Sequence, residues 1–465
     1  MSSILNIGTS ALSTAQTALS TTSNNISNVN TEGYNRQRTE QVTHPSHYQG
    51  SFYLGAGVTV GSVERLYDSF LASQVRSYTS QEAQQDAFLS LSKQVDDLLG
   101  SSELSISDGL DNFFGAIQEV ANAPTSLAAR QVVLTEGELL ANRFNTLDQQ
   151  LTQLDKRIDS DLGVAVNDIN NLTRGIAELN QAILAAKGSN GVEPNDLLDK
   201  RDNLINQLSE YVSVTTLAQE NGTVNIFVGN GQGLVIGTSQ VNLSTIADNS
   251  TNPPRLGIGY GPSQTNVTNQ LAGGSIGGAI QFRADIIDGT RADLDFLAES
   301  VVTAFNTMHT NGFDLDGNAG GNFFNPAAIT AGNINVVITD PRAIAASSGT
   351  NIGPGNNENA LALADLQTDK TAVVINPGPP AVTRSFAEQY GVIVSEVATR
   401  TRQAQVSQET QQALLQQTRQ RFDSISGVNL DEEAANLIKY QQAYQAASQI
   451  VVVSNTIFES LLSAI

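Results

Sequence analysis

Residues 1–31 read MSSILNIGTSALSTAQTALSTTSNNISNVNT, and not one of their side chains is charged. Leu5, Leu12, Leu19 and Ile26 recur every seven residues, beside a second row of Gly8, Ala15, Thr22 and Val29 and a third of Ile4, Ala11 and Ala18. A seven-residue apolar repeat is the signature of a coiled-coil seam, here built mostly from small residues. Thr31, Glu32 and Gly33 break it. The other end mirrors the pattern: Leu430, Leu437, Tyr444, Val451, Phe458 and Ile465 stand seven apart, with Ala434, Gln441, Ser448, Asn455 and Leu462 as a second row. At the helical rise, either segment spans roughly 45–55 Å.

Fixing one residue's backbone costs roughly 1–2 kcal/mol, while a buried CH₂ returns only about 0.8 kcal/mol. A seam of Ala, Gly, Ser and Thr therefore does not hold residues 1–31 helical in isolation. Small seam residues do let helices approach closely, so several neighbours together supply what one cannot. The two ends also pair with each other on this reading. Their outer faces carry Ser, Thr, Asn and Gln, whereas a helix facing water normally carries Lys and Glu. Those faces suit burial against other chains.

Between the ends, helical and strand-like periods alternate. Residues 50–63, with Gly50, Gly55, Gly57 and Gly61 around Val58, Val60 and Val63, predict a short hairpin or loop. Residues 64–100 predict a helix through Leu66, Phe70, Phe88, Leu91, Val95 and Leu98. The clearest helix runs from Leu140 to Ala186, with one extra four-residue step between Ile158 and Leu162, a stutter. Gly188, Gly191 and Pro194 end it, and Leu197–Tyr211 predicts another. Asn221-Gly222 and Asn230-Gly231 mark hairpin turns around Val224–Val228 and Leu234–Ile236. A helix is expected from Gly278 to His309, short strands and loops over 314–383, and a helix again from Phe386 to Ile425. The expected fold is therefore α+β and multidomain, an elongated rod of long coiled-coil helices formed by both termini with a mid-chain β-rich domain. Its parts are 1–31 with 430–465 as terminal core, 32–210 with 275–313 and 384–429 as helical rod, and 211–274 with 314–383 as β-rich protrusion.

Composition narrows the function. The 465 residues carry 24 basic and 46 acidic side chains, a net charge of −22 that argues against nucleic acid or an anionic membrane as partner. Cysteine is absent, which removes disulfides, thiolate metal sites and cysteine nucleophiles together. The uncharged N-terminal segment lacks the basic region and compact apolar stretch of a cleavable signal, so export is expected to leave that end in place. Tyr440–Phe458 is an uncharged run of 19 residues, but its Gln, Ser and Asn make it too polar to insert in a membrane.

Catalytic constellations are sought and not found. His44 and His47 are three apart across Pro45, with no third ligand near, and predict a plain loop. His309 reads as a capping or packing residue. Asp314, Asp316 and Asn318 resemble the start of a calcium loop, but Ala319 stands where glycine is needed and Asn325 where Glu is needed, so an Asx-rich turn is expected. Gly229-Asn-Gly231-Gln-Gly233 lacks the spacing of a phosphate loop. No G-x-S-x-G elbow exists, and Asp96-Asp97 and Glu432-Glu433 carry little weight in so acidic a chain. Neither an enzyme, a cofactor nor a metal is expected.

Ser23-Asn-Asn-Ile-Ser-Asn-Val-Asn-Thr-Glu-Gly-Tyr34 resembles the N-terminal signature of the bacterial flagellar rod, hook and hook-associated axial proteins. Gly427-Val-Asn-Leu-Asp-Glu-Glu-Ala-Ala-Asn-Leu-Ile-Lys-Tyr-Gln-Gln-Ala-Tyr-Gln-Ala446 is similar to their C-terminal signature. Leu197-Leu-Asp-Lys-Arg-Asp-Asn-Leu-Ile-Asn206 and the stretch from Ala304 to Phe324 further resemble the hook-associated branch. The resemblance implies a structural subunit that leaves the cell unfolded and uncleaved through the flagellar type III channel. It implies a ring at the hook–filament junction, with copies of itself, the hook protein, a second junction protein and an export chaperone as partners. Another axial protein of the hook or rod type, or a secreted adhesin or hydrolase on a rod scaffold, are the alternatives. By the same match, Asn24, Asn25, Ile26, Asn28, Gly33 and Tyr34, with Gly427, Asn429, Glu433, Tyr440, Gln441 and Tyr444, carry core contacts. From the residues themselves, Leu5, Leu12, Ala15, Ala18, Leu19, Leu437, Val451 and Phe458 join that packing set. Gly33 and Gly427 are candidate hinges, and Tyr440 and Tyr444 share a helix face.

Overall fold

A computed structural model describes residues 2–49, 52–190, 193–249, 254–327, 329–349, 353–376 and 382–463. The terminal helices are α1 (Ser2–Ser27) and, at the other end, α10 (Leu430–Ser463). Between them come α2 (Ser69–Leu99), α3 (Ile106–Asn122), α4 (Leu127–Asn190) and α5 (Asn195–Tyr211). Then follow α6 (Gly274–Phe282), a π-turn at Arg283–Ile287, α7 (Asp288–Thr310), α8 (Glu358–Asp365) and α9 (Phe386–Ser426). At 64 residues, α4 runs about 96 Å.

The helices expected over 197–211 and 386–425 form almost as predicted. A capping box closes the start of α9, with Ser385 Oγ accepting from Glu388 N and Glu388 Oε2 accepting from Ser385 N. α2 and α9 lie antiparallel, because Tyr390 Oη donates to Leu99 O while the Tyr67 and Phe422 rings meet at the other end.

The hairpin signals also hold. β5 (Val214–Ala218), β6 (Val224–Val228), β7 (Gln232–Ile236) and β8 (Ser239–Gln240) form one antiparallel sheet in that order. A three-stranded sheet contains β9 (Leu243–Asp248) and β10 (Arg255–Tyr260). Both sheets dock on α4 through its asparagines. Asn180 Nδ2 donates to Val224 O and Gly237 O, and Asn170 pairs with both backbone groups of Leu243. Ile226, Leu234 and Val235 are buried in the same apolar cluster as Leu140, Leu151 and Ile169 of α4. Asp155, also on α4, receives Arg255 Nε and Arg283 Nε at 2.8 Å each, tying β10 and the π-turn to the helix. A buried carboxylate is tolerable only when its charge is matched in this way.

Three features depart from the sequence reading. Residues 37–65 are largely strand: β1 (Gln37–Thr43) pairs antiparallel with β4 (Val58–Arg65), with a small hairpin between them. The helix expected from residue 64 therefore begins only at Ser69, where Asp68 caps it by accepting from Phe70 N and Leu71 N. α3 was not foreseen, although Phe113, Phe114, Ile117 and Val120 make it a main contributor to the core. α8 replaces loop within 314–383. Ser2–Ser27 is helical where it packs on α10, the end-to-end pairing that the sequence reading also offered. The added support comes from the β1–β4 pair, which lies against α1: Thr39 Oγ1 donates to Thr21 Oγ1 at 3.2 Å.

Candidate functional site at the roots of the terminal helices

α1 and α10 pack antiparallel. Asn25 near the end of α1 meets Glu433 at the start of α10, while a Cβ at Gly8 would stand 3.0 Å from Val451 Cγ2. Close approach selects the small residues for the interface. Gly8, Thr14, Ala15, Ala18, Thr21, Thr22 and Asn25 are buried on α1, and Glu433, Ala447 and Ser454 on α10.

The seam on α10 is thus displaced from the expected row. Leu437 and Val451 are half-buried, but Leu430 is 51 % and Phe458 54 % exposed, and Tyr444 is exposed as well. Ile465 lies outside the described residues. Leu5, Leu12, Leu19 and Ile26 flank the interface half-buried. Bulky side chains at the axis would hold the backbones apart, so they are turned to its edge. The face of α10 away from α1 presents Ile438, Val452 and Val453 to solvent, while Ile450, 39 % exposed, still touches α1 beside Gly8.

At the roots, three stretches far apart in sequence converge on a polar clasp. Asn25 uses both ends of its amide: Oδ1 accepts from Gln37 N at 3.0 Å and Tyr34 Oη at 2.8 Å, and Nδ2 donates to Gln37 O at 2.9 Å and Glu433 Oε2 at 3.1 Å. Glu433 Oε1 accepts from Arg36 Nε at 2.7 Å, and Glu432 from Arg36 Nη1 at 2.6 Å. The backbone of Arg36 bridges further, its N–H to Ser426 O and its carbonyl to Leu66 N. Asn35 continues the network by donating twice to Asp199 on α5, and Asp199 and Asp202 both accept from Arg65 Nη1.

The remaining predicted residues sort by position. Asn28 closes α1 by donating to Asn24 O and Asn24 Oδ1. Asn429 caps α10, its Oδ1 accepting from Asp431 N and Glu432 N, and Asp431, Glu432 and Glu433 lie in the first turn where the helix dipole favours anions. Gly33 has φ +76°, a conformation open to glycine, and packs on Asn203. Gly427 is extended instead, and glycine is required there because a Cβ would collide with Asp423 O. Tyr440 is half-buried beneath the Lys439 ammonium, 5.5 Å from its ring, while Asn24 and Gln441 are exposed. Arg36, Gln37, Arg65 and Asp199 were missed as individual participants, and the only signal for Asp199 is its place in the 197–206 motif.

Burial, with Asp199, Asp196 and Glu433 nearby, pushes the Tyr34 hydroxyl well above the ordinary tyrosine range, so it remains a donor to Asn25. Burial also raises the Asp199 carboxyl, against the pull of its hydrogen bonds from Arg65 and Asn35. These groups are engaged with one another, an arrangement that fastens backbone rather than transfers protons. Elsewhere, Asp314 Oδ1 accepts from Asp316 N and Asn318 N, the expected Asx turn, and Arg342 pairs with Asp316. His309 is fully buried, with Nδ1 against Gly321 O and Nε2 accepting from Ala345 N. Among the described residues no three His, Cys, Asp or Glu side chains gather as metal ligands. No described helix is long and apolar enough to cross a membrane.

Long terminal helices paired through small residues and clasped at their roots, together with the family profiles that match them, place the chain among the flagellar axial proteins. Family profiles agree segment by segment. The flagella basal body rod protein profile matches residues 5–35, and the flagellar basal body rod FlgEFG protein C-terminal profile matches 419–464. The flagellar hook-associated protein FlgK helical domain matches 92–324. Flagellar hook-associated protein 1 of Escherichia coli (strain K12) is 31% identical, with 100% of both chains covered. That of Bacillus subtilis (strain 168) is also 31% identical, over 97% of this chain and 96% of the relative. The alignment to the E. coli protein spans 553 positions, 88 more than the 465 residues here. The solved flagellar hook junction protein FlgK from Burkholderia pseudomallei has the same fold, with a TM-score of 0.67 at 20% identity over 76% of this chain and 100% of that one. The chain belongs to the flagellar hook-associated protein 1 family, and it is a structural component of the bacterial flagellum.

Proposed function

We propose that this chain forms the hook–filament junction by ring assembly through its terminal helices. The observation that carries the reading is the row of bulky apolar side chains on α10 left facing solvent when its small-residue face is already occupied by α1. An exposed apolar face of this extent is an interaction surface. Copies of the same chain bring the same face to the ring, so the helices of neighbouring subunits cover what one chain leaves bare. The clasp then transmits load from the helix pair to the body through Glu433, Arg36 and Asp199. The role is mechanical, not catalytic.

Export through the flagellar type III channel, action outside the cell, and contacts with the hook protein, a second junction protein and an export chaperone belong to the same proposal. So does the assembly role of the predicted residues, from Leu5 and Leu12 through Phe458. The division into a terminal pair (1–31 with 430–465), a helical rod and a β-rich part is proposed as the mechanical layout. Deleting the gene tests the junction role. Hooks without filaments, with filament subunit released into the medium, are expected; filaments of normal length contradict it.

A further inference from the structure

A cleft of about 460 Å³ opens between the start of α2, α5 and the β5–β6 edge. Four cationic side chains line it, Arg65, Arg76, Lys187 and Arg201, in a chain of net charge −22. Two of them are neutralised locally. Arg65 pairs with Asp202 at 2.9 Å as well as with Asp199, and Lys187 lies 3.4 Å from Glu193. Asp202 and Glu193 are the acidic side chains that line the cleft, so both are already engaged.

Arg76 and Arg201 are different. They are 7 % and 5 % exposed, and among the described residues neither makes an ion pair. Arg76 reaches Thr216 Oγ1 at 3.4 Å and lies within hydrogen-bonding reach of the Tyr67 hydroxyl, both neutral partners. Arg201 spends Nη1 on Asn180 Oδ1 and Gly222 O, leaving its buried Nε without a partner. Burial holds the Arg201 guanidinium below its ordinary range. A charge taken out of water normally recovers its solvation from a counter-charge. Two buried guanidinium groups without an ion pair of their own leave that requirement only partly met, since the Asp202 near Arg201 is shared with Arg65.

We propose that this cleft binds a small oxyanion of the phosphate type, with Arg76 and Arg201 as its principal donors. The guanidinium fork matches the oxygen spacing of phosphate, and Ser69, Ser73 and Thr216 add hydroxyls around the same space. The anion would bridge α2, α5 and the β5–β6 hairpin, next to the clasp residues Arg65 and Asp199. The site does not depend on the junction role.

Calorimetric titration of the full chain with inorganic phosphate, at ionic strength matched with chloride, tests it. One phosphate per chain is expected. Arg76→Met, which breaks no ion pair, should weaken binding at least about tenfold, the scale of one charge-assisted hydrogen bond. Arg76→Lys should recover part of it, and Arg38→Met, on an exposed side chain of β1, should leave it unchanged. Circular dichroism establishes that each variant is folded. Absence of saturable phosphate binding by the wild-type chain overturns the proposal, as does equal binding by Arg76→Met.

Discussion

Asn25 of α1 and Glu433 of α10, 408 positions apart, are joined by a buried hydrogen bond of 3.1 Å. Around it, each polar atom of the Asn25 amide finds a partner, so the contact fixes the angle at which both terminal helices leave the body. Asn25→Ala strips that bond together with the pairing to Gln37. An unsatisfied buried polar group costs about 1–3 kcal/mol. Amide exchange should accelerate across residues 14–27 and 430–440 while α4 keeps its protection. Unchanged exchange in both root segments would show that the clasp does not hold the helices.

Ala18 is 1 % exposed at the centre of the α1 interface. Ala18→Phe forces the helices apart, at about 1–3 kcal/mol for an overpacked site. Motility should be lost while the thermal unfolding of the body is unaltered. Normal incorporation into flagella would remove the argument from close packing.

Val452 and Val453 are 60 % and 55 % exposed on the outer face of α10. Val452→Lys with Val453→Ser should change monomer stability by no more than about 0.5 kcal/mol, as for other surface positions. Assembly is expected to fail nonetheless, read as loss of filaments in micrographs. Wild-type filament number would place the assembly surface elsewhere.

His309 stays neutral in the fold, because burial lowers its pKa from 6.5 to about 4. Its folded pKa is depressed, so its contribution is complete above about pH 6.5 and drains as the unfolded chain takes up the proton. Between pH 7 and 5 the loss amounts to about 2 kcal/mol. Denaturant unfolding of the wild type should show this slope. His309→Leu should start less stable, since Gly321 O and Ala345 N lose their partner, yet show a flatter dependence over the same range. Equal slopes would assign the pH dependence to other groups.

The helical parts of the fold were largely legible because their signals are local. The α9 capping box, the Asn-Gly turns and the periodicity of α5 each act within a few residues. α3 escaped because Gly109 and Gly115 interrupt its apolar pattern and Ala123-Pro124 cuts it short, although Ile106, Leu110, Phe113, Ile117 and Val120 do recur at helical spacing. On α10 the bulky row starting at Leu430 dominates the seven-residue repeat, but α1 packs on the row three residues later, from Glu433 through Ala447 to Ser454. Side-chain size alone could not disclose that choice. It follows from how closely Gly8 and Ala18 let the backbones approach. The clasp was legible in its helix-end members, Asn25 and Glu433. Arg36, Arg65 and Asp199 enter through long-range closure, which leaves no periodic trace.

The assembly surface is tested most directly by amide exchange on residues 438–458, measured in the dilute monomer and in isolated hook–junction complexes. Moderate protection in the monomer, rising strongly on the outer-face positions Ile438, Val452 and Val453 in the complex, is the expected result. Equal protection in both states would contradict the claim that neighbouring copies cover this face.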